Sequence, residues 1–233
     1  MLATLAAFGL EWDGPLERQS ARQAHYERTL QELRARGLTF PCSCSRRELA
    51  TERGYPGTCR TRPRSPGPTA ERFRVATGEL AFIDRLQGEC RFDLGALGDV
   101  IVRRRDGGFA YQLAVVVDDA WQGVTDVVRG ADLLDSTPWQ IALQQALGLP
   151  RPRYAHLPLV TEPDGTKLAK SRRSVALEPR TAGAQLVEAL RLLGQAPEPK
   201  LELELEPVQK ILAWAIARWD PQRLRGVREV RAS

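Results

Sequence analysis

F-A-Y-Q-L-A-V-V-V-D-D, residues 109–119, is the stretch on which the reading of the fold turns. From Leu113 to Val117 it has no polar residue, and Asp118 and Asp119 close it. A short apolar run reads as a strand buried on both faces, as strands are in a parallel sheet covered by helices on each side. The two carboxylates would then lie at the strand's end, where such sheets bind ligands. Upstream, Asp106-Gly107 separates Val100–Arg104 from Phe109–Val117, and that dipeptide favours a hairpin turn. An α/β fold is the expectation.

Downstream, G-V-T-D-V-V-R (123–129) reads as another strand. Thr137-Pro138-Trp139-Gln140 reads as a helix start, with proline at the first position and glutamine closing a capping box, and Gly148 stops that helix after Leu147. Tyr154–Val160 is a short apolar approach to a loop, and His156 within it is read as structural. The loop is T-E-P-D-G-T-K-L-A-K-S, residues 161–171. Gly165 permits a tight turn that returns Lys167 and Lys170 in one direction. Two ammonium groups there suit a ligand with clustered anionic oxygens such as a triphosphate, and charge building on it would be stabilised. Taken alone, K-x-x-K-S reads as solvated basic surface. Beyond it, Ala182–Leu193 and Val208–Trp219 read as helices, L-E-L-E-L-E is ambiguous between its flanking prolines, and the basic tail Pro221–Ser233 reads as loose.

Upstream, Leu2 to Phe8 reads as the end of an amphipathic helix stopped by Gly9, with no strand in sight for it to pack on. A second helix spans about Ser20 to Arg36, buries Tyr26, Leu30 and Leu33, and stops at Gly37; His25 on it is read as a surface residue. Cys42, Cys44, Tyr55 and Cys59 follow in the spacing C-x-C-x10-Y-x3-C. Cys42 and Cys44 are too close to bridge comfortably, and three thiolates plus one oxygen or nitrogen donor make a tetrahedral zinc site. Three unrelated free cysteines are the plainer alternative, and tyrosine is an uncommon fourth ligand. Ser45 and Glu48 form a capping box for a short helix ending at Gly54. Arg60–Arg72 is a Pro/Arg-rich loop, Arg72–Val75, Leu80–Ile83 and Cys90–Leu94 read as strands of a small sheet, and Cys90 reads as packing.

Lys and Arg number 34 against 29 Asp and Glu, and this formal +5 permits a polyanionic partner without requiring one. No apolar run nears the roughly 20 residues of a membrane-spanning helix, and the N-terminal residues lack the basic start of a signal peptide. Four cysteines without an export signal point to the cytoplasm, where clustered thiols more often hold metal than pair.

Y-Q-L-A-V-V-V-D-D, V-V-R-G-A-D-L-L and K-L-A-K-S, in that order, resemble the second catalytic half of class I glutamyl-type aminoacyl-tRNA synthetases. The cysteine cluster and A-F-G-L-E-W-D-G narrow the resemblance to a short branch without an anticodon-binding domain. It covers about Leu2 to Asp220. It implies that K-L-A-K-S stands for the K-M-S-K-S loop, with Lys167 and Lys170 catalytic and Lys170 and Ser171 on ATP. It implies that Tyr111 and Arg129 contact glutamate, arginine being the natural partner of a carboxylate, and that Cys42, Cys44, Tyr55 and Cys59 hold Zn2+. Such proteins use ATP with Mg2+ to make a glutamyl adenylate and transfer glutamate to the queuosine base of tRNA(Asp). A monomer is expected. The implied fold is an incomplete class I Rossmann fold: the end of the first half (1–38), a zinc-bearing acceptor-type insertion (39–98), the second half with the lysine loop (99–175) and a short helical C-terminal region (176–233).

One departure stands out. The family's H-x-G-H-like ATP motif is missing, because neither His25 nor His156 sits in such a context. The expectation is therefore a chain that begins after that βαβ unit and is inactive alone, through a late start or a truncation. Two other readings compete: the core of an ordinary glutamyl-tRNA synthetase, and a non-catalytic zinc-bearing RNA-binding remnant.

Overall fold

The computed structural model describes residues 2–45, 47–49, 54–61, 67–162, 177–195 and 206–232. The helices are α1 (Leu2–Ala7), α2 (Gln23–Ala35), α3 (Leu94–Leu97), α4 (Tyr111–Gln122), α5 (Thr137–Leu147), α6 (Ala182–Leu192) and α7 (Val208–Arg218). The strands are β1 (Thr39–Cys42), β2 (Ala70–Phe73), β3 (Glu79–Asp84), β4 (Gly88–Asp93), β5 (Val100–Arg103), β6 (Asp126–Gly130), β7 (Arg153–Leu157), β8 (Leu159–Thr161) and β9 (Glu229–Arg231). Among these residues no helix is long and apolar enough to cross a membrane.

Three sheets form. β1-β2-β5 is antiparallel; β4-β3-β7-β6 is mixed; β8 and β9 make a parallel pair. In the mixed sheet β6 and β7 run parallel through five register pairs, and α5 supplies the crossover between them. β3 meets β7 in parallel at Asp84 opposite Tyr154. The main core lies between this sheet and the helices. It joins Tyr26, Leu30 and Leu33 of α2, Leu113, Ala114 and Val116 of α4, and Ile141 and Leu143 of α5 to Leu80, Phe82 and Tyr154. Phe82 stacks on Phe92 at 6.0 Å and meets Tyr154 edge-on at 5.9 Å between centroids.

The stretch first read as a buried strand is helix α4. Phe109 makes a single antiparallel bridge to Arg103, so the hairpin exists only as a stub. Helical spacing puts Leu113, Ala114 and Val116 into the core, and Gly123 ends α4 at φ 68° with its N–H on Ala120 and Asp119 carbonyls. β-branched residues give a strand-like signal, but a helix with a partner on its apolar side holds them equally well. The paired carboxylates change meaning accordingly. Asp118, one turn beyond Ala114, faces the start of α2, where it accepts hydrogen bonds from Tyr26 (2.7 Å) on that helix and from Arg22 Nε (2.7 Å) and Gln19 (3.2 Å) just ahead of it. It pins two helices together.

Other departures are smaller. α2 begins at Gln23, because Gln19–Ala21 forms a separate 3-10 turn. No capping box starts α5: Ser136 is the N-cap, Thr137 donates to the Leu133 carbonyl, and Gln140 donates to Gln112. The tail is anchored, not loose, with Leu224 buried, Gly226 N–H on the Leu86 carbonyl, and β9 paired to β8. α1 finds a helix where a strand was sought: a side chain at Gly9 would strike Leu212 and Val208 of α7 at 2.9 Å.

Candidate active site and thiol cluster

The parallel pair β6 and β7 sets the first site. Arg129 and His156 are direct register partners on it, one residue short of the C-terminal end of each. Adjacent strands hold such side chains close together on one face. Arg129 Nε donates to His156 Nε2 at 3.1 Å, and Arg129 Nη2 donates to Thr137 Oγ at 2.8 Å. Thr137 stands at the first turn of α5, so the crossover helix supplies the third member of the cluster. Behind the imidazole, Nδ1 lies 2.6 Å from Asp84 Oδ2. Asp84 also accepts backbone N–H groups from Leu86 (3.0 Å), Gln87 (2.9 Å) and His156 (3.1 Å). Burial opposes its charge, yet the His156 and backbone donors outweigh this and hold its carboxyl below the ordinary range.

Asp119 faces the opposite problem. Burial, with Asp118 adding to it, pushes its carboxyl up to about 6, although the Arg129 charge pulls the other way. A carboxyl raised on folding destabilises the fold once pH exceeds its folded value and costs nothing below the unfolded one. Asp119→Asn should therefore stabilise the chain at pH 8, by about 1 kcal/mol after allowance for partial exposure, and change nothing near pH 4. Urea unfolding at the two pH values measures this; an equal effect at both would contradict it.

Tyr111 is the other residue implied for glutamate. It opens α4, is 46% exposed, and lines a cleft of about 570 Å³ with Tyr55, Arg72, Asp99, Gln112 and Trp139. Lys167, Lys170 and Ser171 lie outside the described residues.

The thiols converge. Sγ atoms of Cys42, Cys44 and Cys59 all lie within 4.8 Å of one another, with Cys44 and Cys59 at 3.4 Å, and all three are free. Thiolates around a tetrahedral zinc at about 2.3 Å would sit roughly 3.8 Å apart, so the set fits one ion with little movement. The Tyr55 hydroxyl meets Cys42 Sγ at 3.5 Å and accepts the Cys59 N–H at 2.8 Å. All four residues picked out by spacing are therefore together. Burial pushes the Cys44 thiol up to about 11. Burial also opposes charge on Cys59, but hydrogen bonds from Tyr55, the Ser43 backbone and the other thiols bring it down to about 6. Tyr55 is raised well above its ordinary value, by burial first and then by the thiols.

Tyr55 is held there by two features the spacing did not show. Arg72 stacks over its ring at 3.8 Å. Gly98, at φ 69°, brings its backbone so near that a Cβ would lie 2.2 Å from the Tyr55 carbonyl oxygen. The capping box is real: Ser45 N–H donates to Glu48 and Glu48 N–H to Ser45 Oγ, at 2.6 and 3.2 Å, around a turn at residues 47–49. The continuation toward Gly54 lies outside the described residues. Asp84 and Thr137 were missed as site residues, and the signal for them is His156 itself. A histidine flanked by apolar residues in a strand has to find buried partners.

A family model for the catalytic domain of class I tRNA synthetases (E and Q) matches residues 1–204. The chain belongs to that family. Among its relatives are proteins named glutamyl-Q tRNA(Asp) synthetase: that of Ectopseudomonas mendocina strain ymp is 53% identical over 226 residues, 96% of this chain and 76% of that protein. That of Pseudomonas aeruginosa strain LESB58 is 51% identical over the same shares. A solved glutamate tRNA ligase from Elizabethkingia meningosepticum, in complex with its amino acid, superposes with a TM-score of 0.74 at 20% identity. It covers all of this chain, which spans just over half (56%) of that protein, and the likeness bears on the fold alone.

Proposed function

We propose that this chain carries the glutamate- and tRNA-directed part of an enzyme that activates glutamate with ATP and transfers it to the queuosine base of tRNA(Asp), the substrate that the names of its relatives carry. Without an H-x-G-H-like ATP motif the given chain is expected to be inactive alone. The observation that supports this reading best is Arg129. It is a guanidinium held at the C-terminal end of parallel strands beside a crossover helix, where open α/β sheets bind ligands. A glutamate carboxylate is its natural partner. In the first step a carboxylate oxygen attacks the α-phosphorus of ATP and pyrophosphate leaves; in the second, a nucleophile of the base takes the glutamyl group and AMP leaves. Arg129 and Tyr111 bind and orient the amino acid. Lys167 and Lys170, with Ser171, meet the charge that develops on the phosphates of Mg2+-bound ATP. The segment 39–98 serves as the acceptor-type insertion that grips the RNA, stapled by one zinc on Cys42, Cys44, Tyr55 and Cys59. That zinc supplies rigidity and takes no part in the reaction.

Glutamate-dependent exchange of pyrophosphate into ATP, followed by glutamylation of tRNA(Asp) with and without queuosine and of tRNA(Glu), tests the reading. Exchange with glutamate, and transfer confined to tRNA(Asp) carrying queuosine, are expected of an N-terminally extended version that supplies an H-x-G-H-like motif, and neither is expected of the given chain alone. Arg129→Ala should raise KM for glutamate about 30-fold or more, since an unpartnered carboxylate in such a site costs 2 kcal/mol or above. If glutamate drives neither step in the extended version, the assignment fails.

A further inference from the structure

We propose that His156, backed by Asp84, is a positioning residue that aims Arg129 at the amino-acid carboxylate; this rests on the role proposed for Arg129 above. An arginine Nε–H only donates, so His156 Nε2 must present its lone pair across the 3.1 Å contact. The ring proton is then on Nδ1 and is donated to Asp84 Oδ2. The chain of contacts fixes one tautomer of one histidine. Both side chains are fully buried, so neither touches substrate. Their effect passes through the guanidinium, which is gripped at Nε by His156 and at Nη2 by Thr137. Nη1 has no hydrogen-bond partner among the described residues and is the end left for a ligand. Three elements converge on this grip: β6 carries Arg129, β7 carries His156, and the end of β3 carries Asp84. An arginine held in its binding rotamer spares the ligand the cost of ordering it, so the relay should act on glutamate affinity and leave ATP alone.

The chain has two histidines, which makes the tautomer directly readable. In nitrogen-15 NMR of the labelled chain, with His25→Gln to assign the signals, His156 should carry its proton on Nδ1 and none on Nε2. A proton on Nε2 overturns the proposal. Calorimetric binding of glutamate and of ATP to two variants then separates the two edges of the ring. His156→Gln places an amide oxygen near the old Nε2 and keeps the acceptor for Arg129. His156→Asn reaches only toward Asp84. Glutamate should bind the Asn variant about tenfold more weakly, with the Gln variant rescuing most of the loss and ATP affinity unmoved in both. Equal losses in variants of matched thermal midpoint, or a parallel loss for ATP, would overturn it. Where neither variant folds, the tautomer of the parent chain decides. A parent chain that binds no glutamate sinks the proposed function, while the tautomer and the Arg129 Nε–H signal still judge the relay.

Discussion

The purified chain should carry about one zinc, and stripping it with a strong chelator should undo the 42–59 turn while the main core stays folded. The reason is the size of what the metal closes. Phe40, Cys42 and Tyr55 form a small cluster of their own, with Cys44, Leu49 and Cys59 only partly buried around it. Three buried side chains cannot offset the ordering of such a loop, so the free energy must come from the ion, where structural zinc sites hold roughly 10–16 kcal/mol of apparent binding. Binding must displace protons, above all from Cys44, whose thiol burial holds near 11, and least from Cys59, near 6. Affinity should therefore fall on acidification. Metal analysis and hydrogen exchange with and without chelator measure both; a metal-free chain whose 42–59 amides stay protected would remove the claim.

Asp84→Ala should cost about 3–5 kcal/mol, a large share of the stability of an ordinary domain. The lost carboxylate would orphan the His156 Nδ1–H and three backbone N–H groups, two of them buried, at once. It would also release the end of β3 from β7, where their parallel pairing is a single register pair. The pH dependence has a definite sign. The folded carboxyl sits below its unfolded value, so its contribution is complete at neutral pH and is lost as acid titrates the group below about 4. Urea unfolding of both proteins across pH 3–8 should show the gap closing only at the acid end. A constant gap would mean that packing, and not charge, made the difference.

Much of the site was legible because it is local in sequence. The spacing of Cys42, Cys44, Tyr55 and Cys59 pointed to one cluster, and the structure brings their sulfur and oxygen atoms together. Helix stops at Gly37 and Gly148, and the strands around Leu80, Cys90 and Val127, were marked by glycines and apolar alternation. α4 was misread because Val115, Val116 and Val117 satisfy either period over so short a run. Only α2 on one side and the sheet on the other select the helix. Asp118 was misread with it, since a carboxylate's partner at the cap of another helix, 96 residues away at Arg22, leaves no local trace.

The sequence by itself determined the chemistry available: three thiols and a phenol at metal-binding spacing, an arginine suited to a carboxylate, and the family to which the motifs belong. Tertiary structure alone decided how those groups are held. His156 becomes a partner of Arg129 only because β6 and β7 align in parallel register, and Asp84 reaches it only because β3 ends beside them. Hydrogen bonds act over about 3 Å, and which residues come that close across 72 positions of chain is set by sheet register, which no local pattern encodes.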